Sequence, residues 1–205
     1  MSSILLVTSS TRGAESLSTR IANELVARLQ ERDPSVELVR HDLGDDPIPH
    51  LDAVTTSAIR KAPSDRNSSE KDAAARSDAL VAELLAADTV VLATGLINFN
   101  IQSGLKSWID NVARAGLTFT YTSEGPKGLA TGKKVYVVLA AAGVYSEGPA
   151  AAMNHAVPYL KTVLGFMGMT DVEVITVEGT AFGDEAAAKA VQVAQARVSE
   201  LATAA

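Results

Sequence analysis

Five short runs of aliphatic and branched residues, each separated from the next by a longer stretch with helical periodicity, constrain this chain's fold more than any other feature. The runs are ILLVT (4–8), VELVR (36–40), TVVLAT (89–94), VYVVLAA (135–141) and VEVITV (172–177). Most are continuous rather than alternating, the pattern of strands covered on both faces. Between them, Leu17, Ile21, Leu25 and Leu29 share one helical face that ends at Asp33-Pro34. Leu80, Val81, Leu84 and Leu85 make a second stripe, and Leu105, Trp108, Ile109 and Val112 a third, with Gly116 expected as its C-terminal cap. Ala187, Val191, Ala194, Val198 and Leu201 mark the last helix. Such alternation, with right-handed crossovers, predicts an α/β three-layer sandwich: a five-stranded parallel sheet with helices on both faces.

Two segments interrupt the pattern. Residues 42–69 carry three prolines among many polar residues, which predicts a surface excursion with one short helix. Residues 117–134 place Leu117, Phe119 and Tyr121 in alternation ahead of Gly125-Pro126, which predicts a β-hairpin flap turning at that Gly-Pro. At 205 residues, with 47% hydrophobic residues, the chain suits one buried core, so residues 1–205 are expected to form a single domain. The net charge of -6, with no basic run, argues against nucleic acid as a partner. Apolar runs shorter than the roughly 20 residues that span a bilayer predict no membrane segment and a cytoplasmic protein. Without cysteine there is no thiol chemistry, so redox work requires a cofactor. His41, His50 and His155 lack ligand spacing, and no metal site is expected.

In an open parallel sheet, ligands bind beyond the carboxyl ends of the strands. The first such loop, SSTRGAESLS (9–18), has hydroxyls where a dinucleotide fingerprint would have glycines. Opening onto a helix N-terminus, it suits a terminal phosphate; alternatively Ser16 only caps the helix and the remaining serines solvate a loop. After the third strand, Asn98 offers an amide to a ring edge and Phe99 a flat face; the competing reading is a turn plus one core phenylalanine. After the fourth strand, small residues lead to Gly143, where backbone can approach a ligand. Trp108 is expected in the core or at a subunit contact, and Asp110 with Arg114 as a helix-surface pair. Tyr121 and Tyr145 sit where aromatic rings can face a ligand at the strand ends.

The stretch INFNIQSGLKSWIDNVARAGLTFTYTSEGPKGLATGKK (97–134), together with PIPHLD, PYLKTVLGFMGMTDV and VEGTAFG, resembles the bacterial FMN-dependent NADH azoreductases, or NADH:quinone oxidoreductases, over essentially the whole chain. The resemblance implies a flavodoxin-like fold, one non-covalent FMN per subunit and a homodimer with two active sites at its interface. Matched positions put phosphate contacts on Ser10, Ser16, Leu17 and Ser18, flavin-ring contacts on Leu96, Ile97, Asn98 and Phe99, and a third set on Ala140, Ala141, Ala142 and Gly143. Phe119, Tyr121 and Tyr145 become candidates for the substrate pocket. NADH or NADPH would deliver hydride and a small aromatic acceptor, quinone or azo compound, would remove the electrons in a ping-pong cycle, with flavin N5 carrying the chemistry.

The chain departs from the familiar pattern at the ring. Gly-Leu-Ile-Asn-Phe replaces Pro-Met-Tyr-Asn-Phe, and Ala140-Ala141-Ala142-Gly143 replaces Ser-Arg-Gly-Gly, an apolar wall expected to favour uncharged acceptors. A biosynthetic reductase for one aromatic metabolite and a flavodoxin-like electron carrier are the alternative expectations.

Overall fold

The computed structural model describes residues 2–204. Strands β1 (Ser3–Thr8), β2 (Glu37–Asp42), β3 (Thr89–Gly95), β6 (Lys134–Ala140) and β7 (Asp171–Val177) form one parallel sheet in the order β2-β1-β3-β6-β7. Each expected strand is present to within a residue or two. Side chains alternate between two cores: Leu5, Val7, Val90, Leu92, Val135, Val137 and Leu139 face one, and Ile4, Leu6, Val91, Ala93, Tyr136 and Val138 the other. Burial on both faces is why these strands read as unbroken apolar runs.

Helices α1 (Leu17–Arg32) and α6 (Asp184–Ala204) cover one face, while α3 (Ser68–Ala86), α4 (Ser103–Val112) and α5 (Ala156–Phe166) cover the other. Trp108 is fully buried in the second of these layers. The excursion after β2 does contain one short helix, α2 (Ala53–Arg60), capped by Asp52, whose Oδ1 accepts the Thr55 N–H at 2.7 Å. It then gives way to α3, which begins at Ser68 inside the polar stretch because Asn67 and Glu70 form a reciprocal capping box.

Gly116 does not cap α4. The helix stops at Val112 because the Thr118 hydroxyl donates to the Val112 carbonyl at 2.7 Å and accepts the Arg114 N–H at 2.8 Å, ending the ladder before the glycine. Nor do Asp110 and Arg114 pair. Asp110 takes Lys106, while the buried Arg114 guanidinium reaches Ser77 and Asp78 on α3.

The flap is a hairpin of β4 (Phe119–Thr122) and β5 (Gly125–Gly128). It turns at Ser123-Glu124 and not at Gly-Pro: Gly125 pairs with Thr122 and Pro126 with Tyr121 inside the ladder. Its base lies against the end of α5 so closely that a Cβ on Gly128 would sit 2.2 Å from the Gly168 nitrogen. The Ala130 N–H bonds the Met167 carbonyl there.

Candidate functional site

The chain winds from β1 to β2 in one direction and from β2 back past β1 to β3 in the other, so the crevice lies beyond Thr8 and Gly95. Below it runs the loop between β1 and α1. Ser9 is tied to β3, its N–H and hydroxyl both donating to the Ala93 carbonyl at 3.0 and 3.1 Å. Ser16 caps α1: its Oγ accepts the Thr19 N–H at 3.2 Å and lies 3.3 Å from the Ser18 Oγ. Both hydroxyls are buried. The first N–H groups of α1, on Leu17 and Ser18, have no preceding helical carbonyl and face the crevice at the positive end of the helix dipole.

After β3 the backbone makes a tight reversal. The Ile97 N–H bonds the Asn100 carbonyl at 2.8 Å, and the Asn100 N–H returns to Ile97 at 3.0 Å. Asn98 and Phe99 between them have φ of 46° and 69°, the only non-glycine residues with positive φ among those described. Asparagine tolerates this region; for phenylalanine it costs about 1–2 kcal/mol. The turn is held from outside, because the Phe99 carbonyl accepts the His155 N–H at 2.9 Å just ahead of α5. Strain that surrounding structure maintains is a feature of ligand sites.

The third loop follows β6. The carbonyls of Ala141, Ala142 and Gly143 accept from Thr180, Ala181 and Gly179 respectively. In trans peptides the next N–H points the opposite way, so Ala142, Gly143 and Val144 turn their donors away from that loop. Ala142 has no positive φ, so alanine is accommodated there without strain. The Tyr145 ring packs on Gly143, whose added Cβ would lie 3.1 Å from it, and meets Phe99 edge-on with centroids 6.2 Å apart. Glu178 fixes this placement through its two carboxylate oxygens, which accept the Tyr145 and Ser146 N–H groups at 3.2 Å each. Asn154 donates to the Tyr145 carbonyl and accepts the Val157 N–H, tying the same loop to α5.

One cavity of about 200 Å³ joins the three loops, lined by Ser10, Ser16, Leu17, Ser18, Leu96, Ile97, Ala140, Ala141 and Ala142 of the expected residues. Ser9, Thr11, Arg12, Gly95, Gln102 and Thr180 line it as well and were not among the expected contacts. Arg12, the one cation in its loop, carried a readable signal; Gln102 did not. Gln102 caps α4, its Oε1 accepting the Gly104 and Leu105 N–H groups, and only the fold brings it to the crevice. Asn98, Phe99, Gly143 and Tyr145 stand around the cavity without lining it. Ile97 and Phe99 are 51% and 40% exposed, an apolar shelf open to water.

Phe119 and Tyr121 are not brought to this cavity. They line a separate hollow of about 960 Å³ between the flap, α2, α3 and α4, and Phe119 packs on Phe166 with centroids 4.5 Å apart. The flap is rooted on the end of α5, and neither ring lines the strand-end cavity of its own chain. The histidines are likewise dispersed: His41 bonds Glu83 at 2.6 Å, and His155 contributes its backbone to the Phe99 turn. Among the described residues no three His, Cys, Asp or Glu side chains gather as metal ligands, and no helix is long and apolar enough to cross a membrane.

Comparison with known proteins agrees with this fold. A family model described as a flavodoxin-like fold matches residues 2–202. A curated protein of Agrobacterium fabrum named FMN-dependent NADH:quinone oxidoreductase is 70% identical over 205 residues, covering 100% of both chains. An azoreductase from Bacillus anthracis superposes with a TM-score of 0.90 at 33% identity, covering 98% of this chain and 99% of that one. A second structure from that organism, an FMN-dependent NADH-azoreductase in complex with FMN, gives a TM-score of 0.87 at 26% identity, over 98% and 100% of the two chains.

Proposed function

The chain belongs to the FMN-dependent NADH:quinone oxidoreductases of flavodoxin-like fold, and from that premise we propose that its strand-end cavity holds one non-covalent FMN, reduced by NADH or NADPH and reoxidised by a quinone or azo compound. The observation that carries this reading is the convergence of the three loops on one cavity. At about 200 Å³ it falls below the roughly 300 Å³ at which small-molecule pockets begin. It therefore suits the phosphate and its chain, while the exposed shelf of Ile97 and Phe99 suits a flat heterocycle lying outside.

Bound FMN supplies the hydride-accepting and electron-returning chemistry. The protein positions it. Ser10, Ser16, Ser18 and the N–H groups of Leu17 and Ser18 hold the phosphate at the head of α1, and the Arg12 guanidinium adds a positive charge at the rim. Leu96, Ile97 and Asn98 meet one side of the ring, and the outward N–H groups of Ala142 and Gly143 suit an electron-rich edge. Ala140, Ala141 and Ala142 bring no charge, so neutral quinones are better acceptors than sulfonated dyes.

The working unit is a homodimer. Within one chain Phe119 and Tyr121 lie far from the cavity, and Tyr121 is 72% exposed, so a two-fold partner is what brings a flap to each site. An enzyme that consumes reduced nicotinamide works in the cytoplasm, where that donor is made.

Anaerobic half-reactions test the cycle. NADH alone should bleach the bound flavin and quinone added afterwards should restore its colour, with FMN released on heating. Bleaching that requires both substrates together would contradict the ping-pong order, and a monomer mass with full activity would contradict the dimer.

A further inference from the structure

Next to the strand-end cavity lies a second hollow of about 560 Å³ that shares Thr11, Ile97 and Gln102 with it. Its remaining walls include Asn98, His50 from the segment after β2, Ser103 and Lys106 on α4, and Tyr159 on α5. These side chains offer hydroxyl, amide, imidazole and ammonium donors, and no carboxylate lines the hollow. Just outside it, Asp110 holds the Lys106 ammonium at 2.5 and 2.7 Å. That pair is 47% and 36% exposed, a surface ion pair of small intrinsic worth that an incoming anion can displace. Burial, with Asp110 adding to it, pushes the Tyr159 hydroxyl up to about 12, so it keeps its proton and remains a donor at neutral pH.

Resting on the reading that the strand-end cavity holds FMN, we propose that this hollow seats the diphosphate of the reduced nicotinamide dinucleotide. A dinucleotide donor must lay its nicotinamide on the face of the flavin ring that the Ile97 shelf leaves open, and its anionic linker then follows one ribose away, beside that shelf. The hollow opens from that shelf and its walls are made of donors. A neutral quinone has no such linker and needs only the open face of the ring. Two substrates that alternate over one ring thus differ in whether they use the neighbouring hollow.

The test compares two hydride donors on the holoenzyme at saturating quinone: NADH, and N-benzyl dihydronicotinamide, which has the same reacting ring and no phosphate. Lys106→Met and Tyr159→Phe should each raise KM for NADH by about tenfold, the loss of one charge-assisted or buried hydrogen bond. Asp110→Asn, which releases Lys106, should lower it several-fold. KM for the benzyl donor should stay the same in all three. An unchanged KM for NADH, or equal shifts for both donors, would overturn the proposal. So would a change of mass in light scattering, which would make the hollow a contact between copies. Continued turnover of the benzyl donor with FMN bound would leave the flavin reading standing in each of those cases, whereas protein purified without flavin would remove both.

Discussion

The loop after β1 and the turn after β3 face each other across the same cavity, yet they are built in opposite ways. The first is local: Ser16 caps the helix it precedes, meets Ser18 two residues on, and draws on the dipole of α1. The second depends on distant residues, since the left-handed Phe99 is held by His155, and Tyr145 beside it is held by Glu178. A phosphate needs only donors at a helix end, which ten consecutive residues supply. A ring needs a shaped, apolar and slightly strained surface, which takes several elements to maintain. Variants should therefore separate the two ends, the first in cofactor affinity and the second in stability and local opening.

The largest effect belongs to the phosphate end. Replacing both hydroxyls, Ser16→Ala with Ser18→Ala, should weaken FMN binding by about 1.5–3 kcal/mol, roughly ten- to hundredfold, in a fluorescence titration. Because Ser16 also caps α1, the apoprotein should lose about 1 kcal/mol as well, and thermal unfolding without flavin measures that share. Unchanged affinity would reduce the loop to a helix cap.

At the ring end the informative pair is Phe99→Gly against Phe99→Ala. Glycine ordinarily destabilises relative to alanine; at φ of 69° the order should reverse, with the glycine variant about 1 kcal/mol more stable in denaturant. Alanine proving the more stable would mean that the turn is unstrained and that the contrast between the two regions is wrong.

The smallest effect concerns the clamp on Tyr145. Glu178→Gln leaves one oxygen where two now accept N–H groups, so the Tyr145 and Ser146 amides should exchange with solvent faster while global stability falls by only about 1 kcal/mol. Unaltered exchange at both amides would assign the loop's order to Asn154 instead.

The same division explains what the sequence made legible. The strands β1, β3 and β6 could be read because each is covered on both faces, the edge strands β2 and β7 from their branched residues alone, and the hydroxyl loop because its residues lie within one short stretch. The third helix was misjudged at its end because Thr118, six residues beyond Val112, intercepts the helix carbonyl. Arg114 was assigned to the partner one turn away, although burial against α3 gave it Ser77 and Asp78. The helix α5 went unread as an element, although Asn154 and Pro158 stand at its start and Gly168 follows its end, and with it went the support for Phe99. Gln102 reaches the cavity only because α4 starts there, and no local pattern announces that.

The central claim is that the hydroxyl loop at the head of α1 grips a single terminal phosphate while the shelf after β3 accepts the ring. It is tested most directly by titrating the wild-type apoprotein with FMN, riboflavin and FAD. FMN should bind at least about a hundredfold more tightly than riboflavin, which has the ring without the phosphate, and more tightly than FAD, whose phosphate is not terminal. Equal affinity for FMN and riboflavin, or a preference for FAD, would contradict the account.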